Sequence, residues 1–252
     1  MGSEMCIRDR CADARIEEDY LRILRAFRFV ACLPDFVLPK RDIAAIKRHC
    51  HHINTLSAER ITEEFSKWLA AKNPISALKL AVKIGLDRHG FGFEFSLDNL
   101  KIGKLEQAFL KLDWLARLAS ITPVSDKNKI ISVMQFSRQQ QKRFECLMRG
   151  LTEAEAEALA TSKWKQTAYW HGSDIQDMAR IYSIRTGFVF AQNLLDEFDA
   201  FEKTKFPISG EDLIQLGWVP GPQLGARLVE LERIWVLNDF KIPSGSNFLT
   251  KP

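Results

Sequence analysis

The sequence predicts an all-α protein. Apolar residues recur at three- and four-residue intervals along most of the 252 residues, as in amphipathic helices. Strand-like alternation is nowhere convincing, whereas helix start and stop signals such as Ser57, Thr152-x-x-Glu155 and Gly217 recur along the chain. The composition, 46% hydrophobic and 27% charged, is ordinary for a globular protein. We therefore expect one large helical domain or two modest ones.

Local signals define each helix in turn. Pro39 and Pro74 each open a helix, Ser57 is a good N-cap, and Gly85 ends the helix that Pro74 begins. The segment over residues 104–121 has leucines near one face. The predicted helices cover residues 17–32, 40–48, 57–71, 75–84, 104–121, 127–134, 139–148, a helix after Thr152, 176–182, 187–201, 210–216 and 224–237.

The first ten residues resemble the translation of a common sequencing adapter, so fold reasoning excludes them. We expect native sequence to begin near residue 11 and to continue from a segment lost upstream.

No apolar run of about 18 residues and no signal peptide occurs, so we expect a cytoplasmic protein that does not contact membranes. The net charge of +4 permits nucleic-acid binding without demonstrating it.

The helix over residues 17–32 carries the most informative pattern. One carboxylate and three arginines follow at three-residue spacing, and each step turns back by only about 60°, so the arginines share one arc of the helix. Guanidinium groups pair bidentately with phosphates or base acceptors, and a carboxylate supplies the complementary acceptor. From spacing alone an exposed basic face with weak Glu–Arg and Asp–Arg pairs remains open. The four residues are Asp19, Arg22, Arg25 and Arg28.

Three segments carry a family resemblance. Residues 18–29 resemble the Glu-Asp-x-x-Arg motif of class II tRNA nucleotidyltransferases, which include the CCA-adding enzymes and the related bacterial poly(A) polymerases. Residues 56–65 resemble the next family motif, which buttresses the first. Residues 206–213 and 217–225 resemble the C-terminal segment of bacterial members. The three matches stand in the family's order, and the chain is identified as a member.

The resemblance implies a role for each motif residue. Asp19 and Arg22 would form Watson–Crick-like hydrogen bonds with an incoming CTP or ATP, and Arg25 and Arg28 would complete the nucleotide pocket. The intact enzyme would add CMP and AMP to the 3′ end of tRNA. The supporting residues would be Glu18, which orients Arg22, together with Glu59 and Arg60 of the second motif.

The resemblance also implies what this chain lacks. Catalysis in the family resides in a β-containing head, where an Asp-x-Asp pair holds two Mg²⁺ ions. This chain has no such pair, because Asp196 and Asp199 have the wrong spacing. We therefore expect the chain to have no catalytic or metal-binding residue and no activity alone. The implied divisions are a neck over residues 11–72, a body over 73–150 and a tail over 151–252.

The predicted tail offers a weaker RNA-binding signal. Lys203, Lys205 and Arg227 could contact phosphates near the Pro-Gly-Pro turn, although a plain pair of packed helices remains an alternative. Two other functions stay open: a poly(A) polymerase fragment and a non-catalytic RNA-binding helical module.

The run over residues 49–52, His-Cys-His-His, is an unfavourable metal site because adjacent side chains point in different directions.

Overall fold

The structure is a computed structural model that describes residues 12–33, 35–101, 103–161 and 163–243, so the adapter-like residues 1–10 lie outside it. These residues are mainly helical and include no strand, which confirms the all-α prediction. No helix among them has both the length and the apolar character needed to cross a bilayer. The α-helices are α1 Ala12–Glu18, α2 Leu21–Cys32, α3 Lys40–His49, α4 Ala58–Ala70, α5 Pro74–Ile84, α6 Gly103–Lys111, α7 Trp114–Ile121, α8 Lys127–Val133, α9 Arg138–Arg149, α10 Glu153–Leu159, α11 Trp164–His171, α12 Ile175–Thr186, α13 Gln192–Asp199, α14 Gly210–Gln215 and α15 Pro222–Leu237.

The chain divides into two compact units. Unit 1 contains the described residues up to 150 together with 177–189, and unit 2 contains residues 151–176 and those from 190 onward. The chain therefore leaves unit 1, builds part of unit 2, and returns. The assignment of neck, body and tail stays a prediction.

An aromatic cluster forms the core of unit 1 where α2 packs against α4 and α5. The Trp68 ring lies 5.1 Å from Phe27 and 5.0 Å from Phe65 between ring centroids, and Phe91 lies 4.5 Å from Phe65. Phe91 belongs to a π-helical turn, Asp87–Phe91. Burial of these rings fixes α2 against α4, the two helices that carry the family motifs.

The helix predicted over residues 17–32 is in fact two helices, α1 and α2. The chain breaks after Glu18, and the Asp19 carboxylate accepts a hydrogen bond from the Leu21 N–H at 3.1 Å. Asp19 therefore satisfies a donor that opens α2 and does not share an arc of helix with the arginines. The prediction was wrong at this point because an aspartate fits both a helix surface and a helix start.

The helix predicted over residues 104–121 is likewise divided, between α6 and α7. Asp113 caps α7 by accepting a hydrogen bond from the Ala116 N–H at 2.9 Å. The helix predicted over residues 187–201 is shorter, covering Gln192–Asp199, and α11 went unpredicted. The remaining predicted helices are present, with ends that differ by a few residues.

A buried arginine, Arg117, holds the ends of two helices in unit 1. Its guanidinium donates hydrogen bonds to the carbonyl oxygens of Leu69 and Ala71 at the end of α4, the latter at 3.0 Å. It also donates to Phe109 at 3.2 Å and Leu110 at 2.6 Å, near the end of α6. The Phe109 carbonyl also accepts from the Leu112 N–H at 3.1 Å. Carbonyls at helix ends lack the partner that helix interiors provide, and Arg117 supplies a donor to each of these four. Burial lowers the pKa of Arg117 from its ordinary value.

A second arginine, Arg185, also donates to carbonyls at helix ends, and it lies in the segment 177–189 that follows the first part of unit 2 along the chain. It donates to the carbonyl oxygens of Met148 at 3.1 Å and Ala119 at 2.7 Å, near the ends of α9 and α7. Asn99 completes the attachment by donating to the carbonyl of Ile184 at 2.9 Å. Burial lowers the pKa of Arg185 to about 10. Residues 177–189 are therefore fastened to unit 1 by hydrogen bonds as well as by packing.

Unit 2 has its own small core. Tyr169 and Trp235 are buried, their ring centroids are 5.7 Å apart, and the Tyr169 hydroxyl donates a hydrogen bond to Glu232. Burial and that carboxylate raise the pKa of Tyr169 above its ordinary value. Ser209 accepts from the Asp212 N–H and begins α14, as the sequence predicts.

The capping box at the start of α10 gives a prediction about acid stability. Burial raises the pKa of the Glu155 carboxyl, but hydrogen bonds from Thr152 and the nearby His171 offset this, so the pKa lies below its ordinary value of 4.5. A depressed pKa contributes stability above pH 4.5 that is lost as pH falls through the folded-state pKa. Glu155→Gln should therefore flatten the loss of stability below about pH 4.5 in urea titrations. Glu153→Gln, which alters an exposed carboxylate of the same helix, should leave that slope unchanged, and an unaltered slope in Glu155→Gln would contradict the assignment.

Candidate nucleotide-selecting site

Asp19 is the most firmly held of the predicted selecting residues. Besides the Leu21 N–H, the Arg60 guanidinium contacts both carboxylate oxygens, with Nη2 at 2.9 Å from Oδ1 and 3.1 Å from Oδ2. Burial raises the pKa of Asp19, and the bonds from Leu21 and Arg60 more than offset this, so the pKa lies below its ordinary value. The group is thus an ionised acceptor at neutral pH, with lone pairs left for a ligand.

Arg22 lies next to Asp19 but has a different acidic partner. Its Nη2 lies 2.9 Å from Glu18 Oε2, and its backbone N–H donates to the Asp19 carbonyl at 3.1 Å. The Glu18–Arg22 contact is the geometry that an orienting role requires. Because both side chains are about two-fifths exposed, the pair adds little stability.

Arg25 and Arg28 share a carboxylate that the sequence analysis did not single out. Glu64 of α4 is 5% exposed; its Oε1 lies 3.7 Å from Arg25 Nε and its Oε2 lies 3.2 Å from Arg28 Nε. Lys67 approaches the same carboxylate at 3.9 Å. Two guanidiniums around one buried carboxylate keep a net positive charge, which suits phosphates, and they are held at a fixed spacing.

The second motif thus supports the first through two residues of α4. Arg60 holds Asp19, and Glu64 holds the two later arginines. Glu59, also predicted to support the site, is exposed and forms no hydrogen bond or ion pair with a described residue. A signal for Glu64 was present in the sequence: a carboxylate stands on the apolar stripe of α4 beside Ile61 and Phe65.

Histidines near the site make local contacts that the sequence left open. Tyr20 stacks on His52 with ring centroids 4.4 Å apart, and His49 Nε2 lies 3.0 Å from Asp13 Oδ1. Among the described residues, no three His, Cys, Asp or Glu side chains are arranged to hold a metal ion. The histidine-rich segment therefore ties α1 to the end of α3.

Two of the three predicted RNA contacts of the tail have partners within the protein. Lys203 Nζ lies 4.2 Å from the centroid of the Tyr169 ring, and Arg227 Nη1 lies 2.7 Å from Glu230 Oε2. Lys205 is exposed. The structure thus engages Lys203 with an aromatic ring and partly neutralises Arg227, and the RNA-binding role of all three stays a prediction.

Comparisons with known proteins agree with the motifs. A family model described as "Probable RNA and SrmB- binding site of polymerase A" matches residues 35–91. The CCA-adding enzyme of Streptococcus sanguinis is 31% identical over 238 residues, covering 88% of this chain and 56% of that protein. The mitochondrial CCA tRNA nucleotidyltransferase 1 of Danio rerio is 27% identical over 243 residues, covering 89% of this chain and 53% of that protein.

Solved structures give the same fold. A Bacillus stearothermophilus CCA-adding enzyme in complex with CTP aligns with a TM-score of 0.63 at 22% identity, covering 91% of this chain and 60% of that one. A Thermotoga maritima CCA-adding enzyme complexed with tRNA aligns with a TM-score of 0.59 at 18% identity, covering 93% and 60%. The chain spans little more than half the length of the curated relatives it matches. The ordered motifs, the similarity over nearly nine-tenths of the chain and the shared helical fold together support the assignment of this chain to the class II CCA-adding enzyme family.

Proposed function

We propose that this chain supplies the nucleotide-selecting and tRNA-binding part of a CCA-adding tRNA nucleotidyltransferase, which adds CMP and AMP to the 3′ end of tRNA. The observation that carries the proposal is the Asp19 carboxylate, which Arg60 and the Leu21 N–H fix three residues before Arg22. A fixed acceptor and the Arg22 donor three residues further on would together read the edge of a base.

The order of the Asp19 acceptor and the Arg22 donor would explain why the site selects CTP and ATP. Cytosine and adenine each present an exocyclic amino donor beside a ring-nitrogen acceptor, whereas guanine and uracil present a carbonyl oxygen beside an N–H. The Asp19 carboxylate would accept from the amino group, and the Arg22 guanidinium would donate to the ring nitrogen. A guanine or uracil edge would set like partners against each other and leave polar groups unpaired.

Arg25 and Arg28 would act at the other end of the nucleotide. They lie three and six residues beyond Arg22 on α2, so Arg28 is about 9 Å from Arg22 along the helix axis. Their shared contact with Glu64 keeps both guanidiniums at the surface of α2, where they would attract the phosphates.

The metal chemistry of nucleotidyl transfer belongs outside these residues. Mg²⁺ would hold the triphosphate and activate the 3′ hydroxyl, but the described residues have no cluster that fits it and the sequence has no Asp-x-Asp pair. We therefore infer that the chain selects nucleotides without transferring them. Addition of CMP or AMP to tRNA by the purified chain would contradict this inference.

The nucleotide-selecting role can be tested in a chimera that joins this chain from Ala12 to the N-terminal catalytic segment of the Streptococcus sanguinis relative. Arg22→Ala should lower kcat/KM for CTP and ATP together by on the order of 100-fold, because one donor to both bases is lost. Asp19→Asn should erase the preference for CTP and ATP over UTP and GTP, since an amide can donate as well as accept.

Arg138→Ala provides the matched control, because Arg138 is an exposed arginine of α9. Equal activity of Arg22→Ala and the control would rule out the nucleotide-selecting role of Arg22.

The description of the family model, which names polymerase A, favours poly(A) synthesis as a second candidate. Addition of AMP without CMP by the chimera would support that candidate over the first.

A further inference from the structure

Unit 1 has a basic groove lined by residues other than those assigned to nucleotide selection. One cleft of about 590 Å³ lies between the ends of α3 and α5, and Lys47, Lys83 and Arg88 line it together with His89. A second cleft of about 450 Å³ shares Arg88 and His89 with the first and continues past Asn54. The two clefts therefore adjoin at Arg88 and His89, and we treat them together as one groove.

Two glycines allow close packing of the segments that line this groove. A Cβ atom at Gly90 would lie 3.1 Å from both the Cys50 carbonyl oxygen and Ile53 Cδ1. Gly85 has a φ of +77°, and a Cβ there would lie 2.9 Å from the His89 ring. The turn that carries Arg88 is thus packed tightly against the segment after α3, which gives the groove a defined shape.

The charge on the groove is of one sign. Among the described residues that line the two clefts there is no aspartate or glutamate. Within the described part of the chain, no carboxylate oxygen lies within 4.0 Å of the Lys47 or Lys83 ammonium, and both side chains are exposed. Arg88 pairs with Glu94 at 3.2 Å, but both are more than half exposed, so the pair is weak. The partial negative charges at the carboxyl ends of α3 and α5, about half a unit each, are outweighed by three full cations.

We infer that this groove binds the phosphodiester backbone of an RNA strand. Spaced cations without carboxylates suit a polyanion, and Asn54 and Ser132 supply neutral hydrogen-bonding groups for sugars and phosphates farther along. A groove that continues from one cleft into the next fits a strand better than a single small anion. Every cation of the groove also lies within residues 35–91, which match the RNA-binding family model. The inference rests on the tRNA-binding part of the proposed function and gives it a location.

The test measures binding of a fluorescein-labelled tRNA transcript that ends before CCA, by fluorescence anisotropy with the purified full chain. Lys47→Ala/Lys83→Ala should weaken binding by on the order of tenfold and reduce the slope of log K against log salt by about 1.5, the value for two lost phosphate contacts. The control Lys111→Ala/Lys142→Ala removes the same charge from exposed lysines of α6 and α9 and should stay within about twofold of the wild type.

The possible outcomes separate this inference from the proposed function. If the two double variants bind tRNA equally well while the wild type binds it tightly, the groove assignment is wrong and the proposed function stands. If the wild type does not bind tRNA, the tRNA-binding part of the proposed function fails and the groove inference fails with it; nucleotide selection is still tested separately by the chimera. Displacement of the tRNA from the wild type by millimolar inorganic phosphate at constant ionic strength would identify a small-anion site and overturn the inference.

Discussion

Replacing Arg117 with methionine is expected to lower the free energy of unfolding of unit 1 by about 3–5 kcal/mol. Methionine fills much of the same volume but leaves the Leu69, Ala71 and Leu110 carbonyl oxygens without this donor, while the Phe109 carbonyl keeps its bond from the next turn of backbone. Each such orphan acceptor costs about 1–3 kcal/mol, and partial relaxation reduces the total below their sum. Urea unfolding followed by circular dichroism measures the change.

Two further variants sharpen this experiment. Arg117→Lys keeps the charge but offers one ammonium in place of a planar fork, so it should recover only part of the lost stability. Arg138→Met removes an exposed arginine and should change the free energy of unfolding by less than about 0.5 kcal/mol. If Arg117→Met resembled that control, the hydrogen bonds to the four carbonyls would have no net stabilising effect.

The second large effect is expected from Glu64→Gln in the chimera. Without the buried charge, Arg25 and Arg28 lose the partner that holds them 3.7 and 3.2 Å away, and their side chains gain rotational freedom. Misplaced phosphate-binding groups should lower kcat/KM for both CTP and ATP by about tenfold or more. Steady-state addition of CMP and AMP to tRNA measures the loss.

Glu63→Gln is the matched control, because Glu63 is the adjacent residue of α4 but points to solvent and pairs with Lys67 at 2.6 Å. It removes the same charge and should leave both reactions within about twofold of the wild type. Glu64→Asp, which restores the charge on a shorter side chain, should recover part of the activity. A loss in Glu63→Gln as large as that in Glu64→Gln would mean that general electrostatics, rather than positioning, explains the effect.

The sequence predicted the helices that begin with side-chain caps. Ser57 and Thr152 each satisfy the first backbone donors of the helix they precede, so the signal and the structure are both local. The predictions over residues 17–32 and 104–121 were wrong for a common reason. Each segment is interrupted at an aspartate that also pairs with an arginine far along the chain, Asp19 with Arg60 and Asp113 with Arg143.

Hydrophobic periodicity cannot reveal such distant partners, because an aspartate on a continuous helix surface gives the same pattern as one that caps a new helix. The candidate site shows the same limit. The spacing of Arg22, Arg25 and Arg28 is visible in the sequence, as is their place on one helix. Their partners are not visible, since Glu64 becomes a partner only when α2 packs against α4.

The return of residues 177–189 to unit 1 has a consequence for synthesis of the chain. A ribosome releases residues in order, so residues 151–176 emerge before Arg185 can reach the ends of α7 and α9. At roughly 5–20 residues per second, the carbonyls of Ala119 and Met148 would wait a few seconds for their donor. Unit 1 is therefore completed late in translation, after part of unit 2 has already left the ribosome, and a chain that stopped at Gly150 would leave it unfinished.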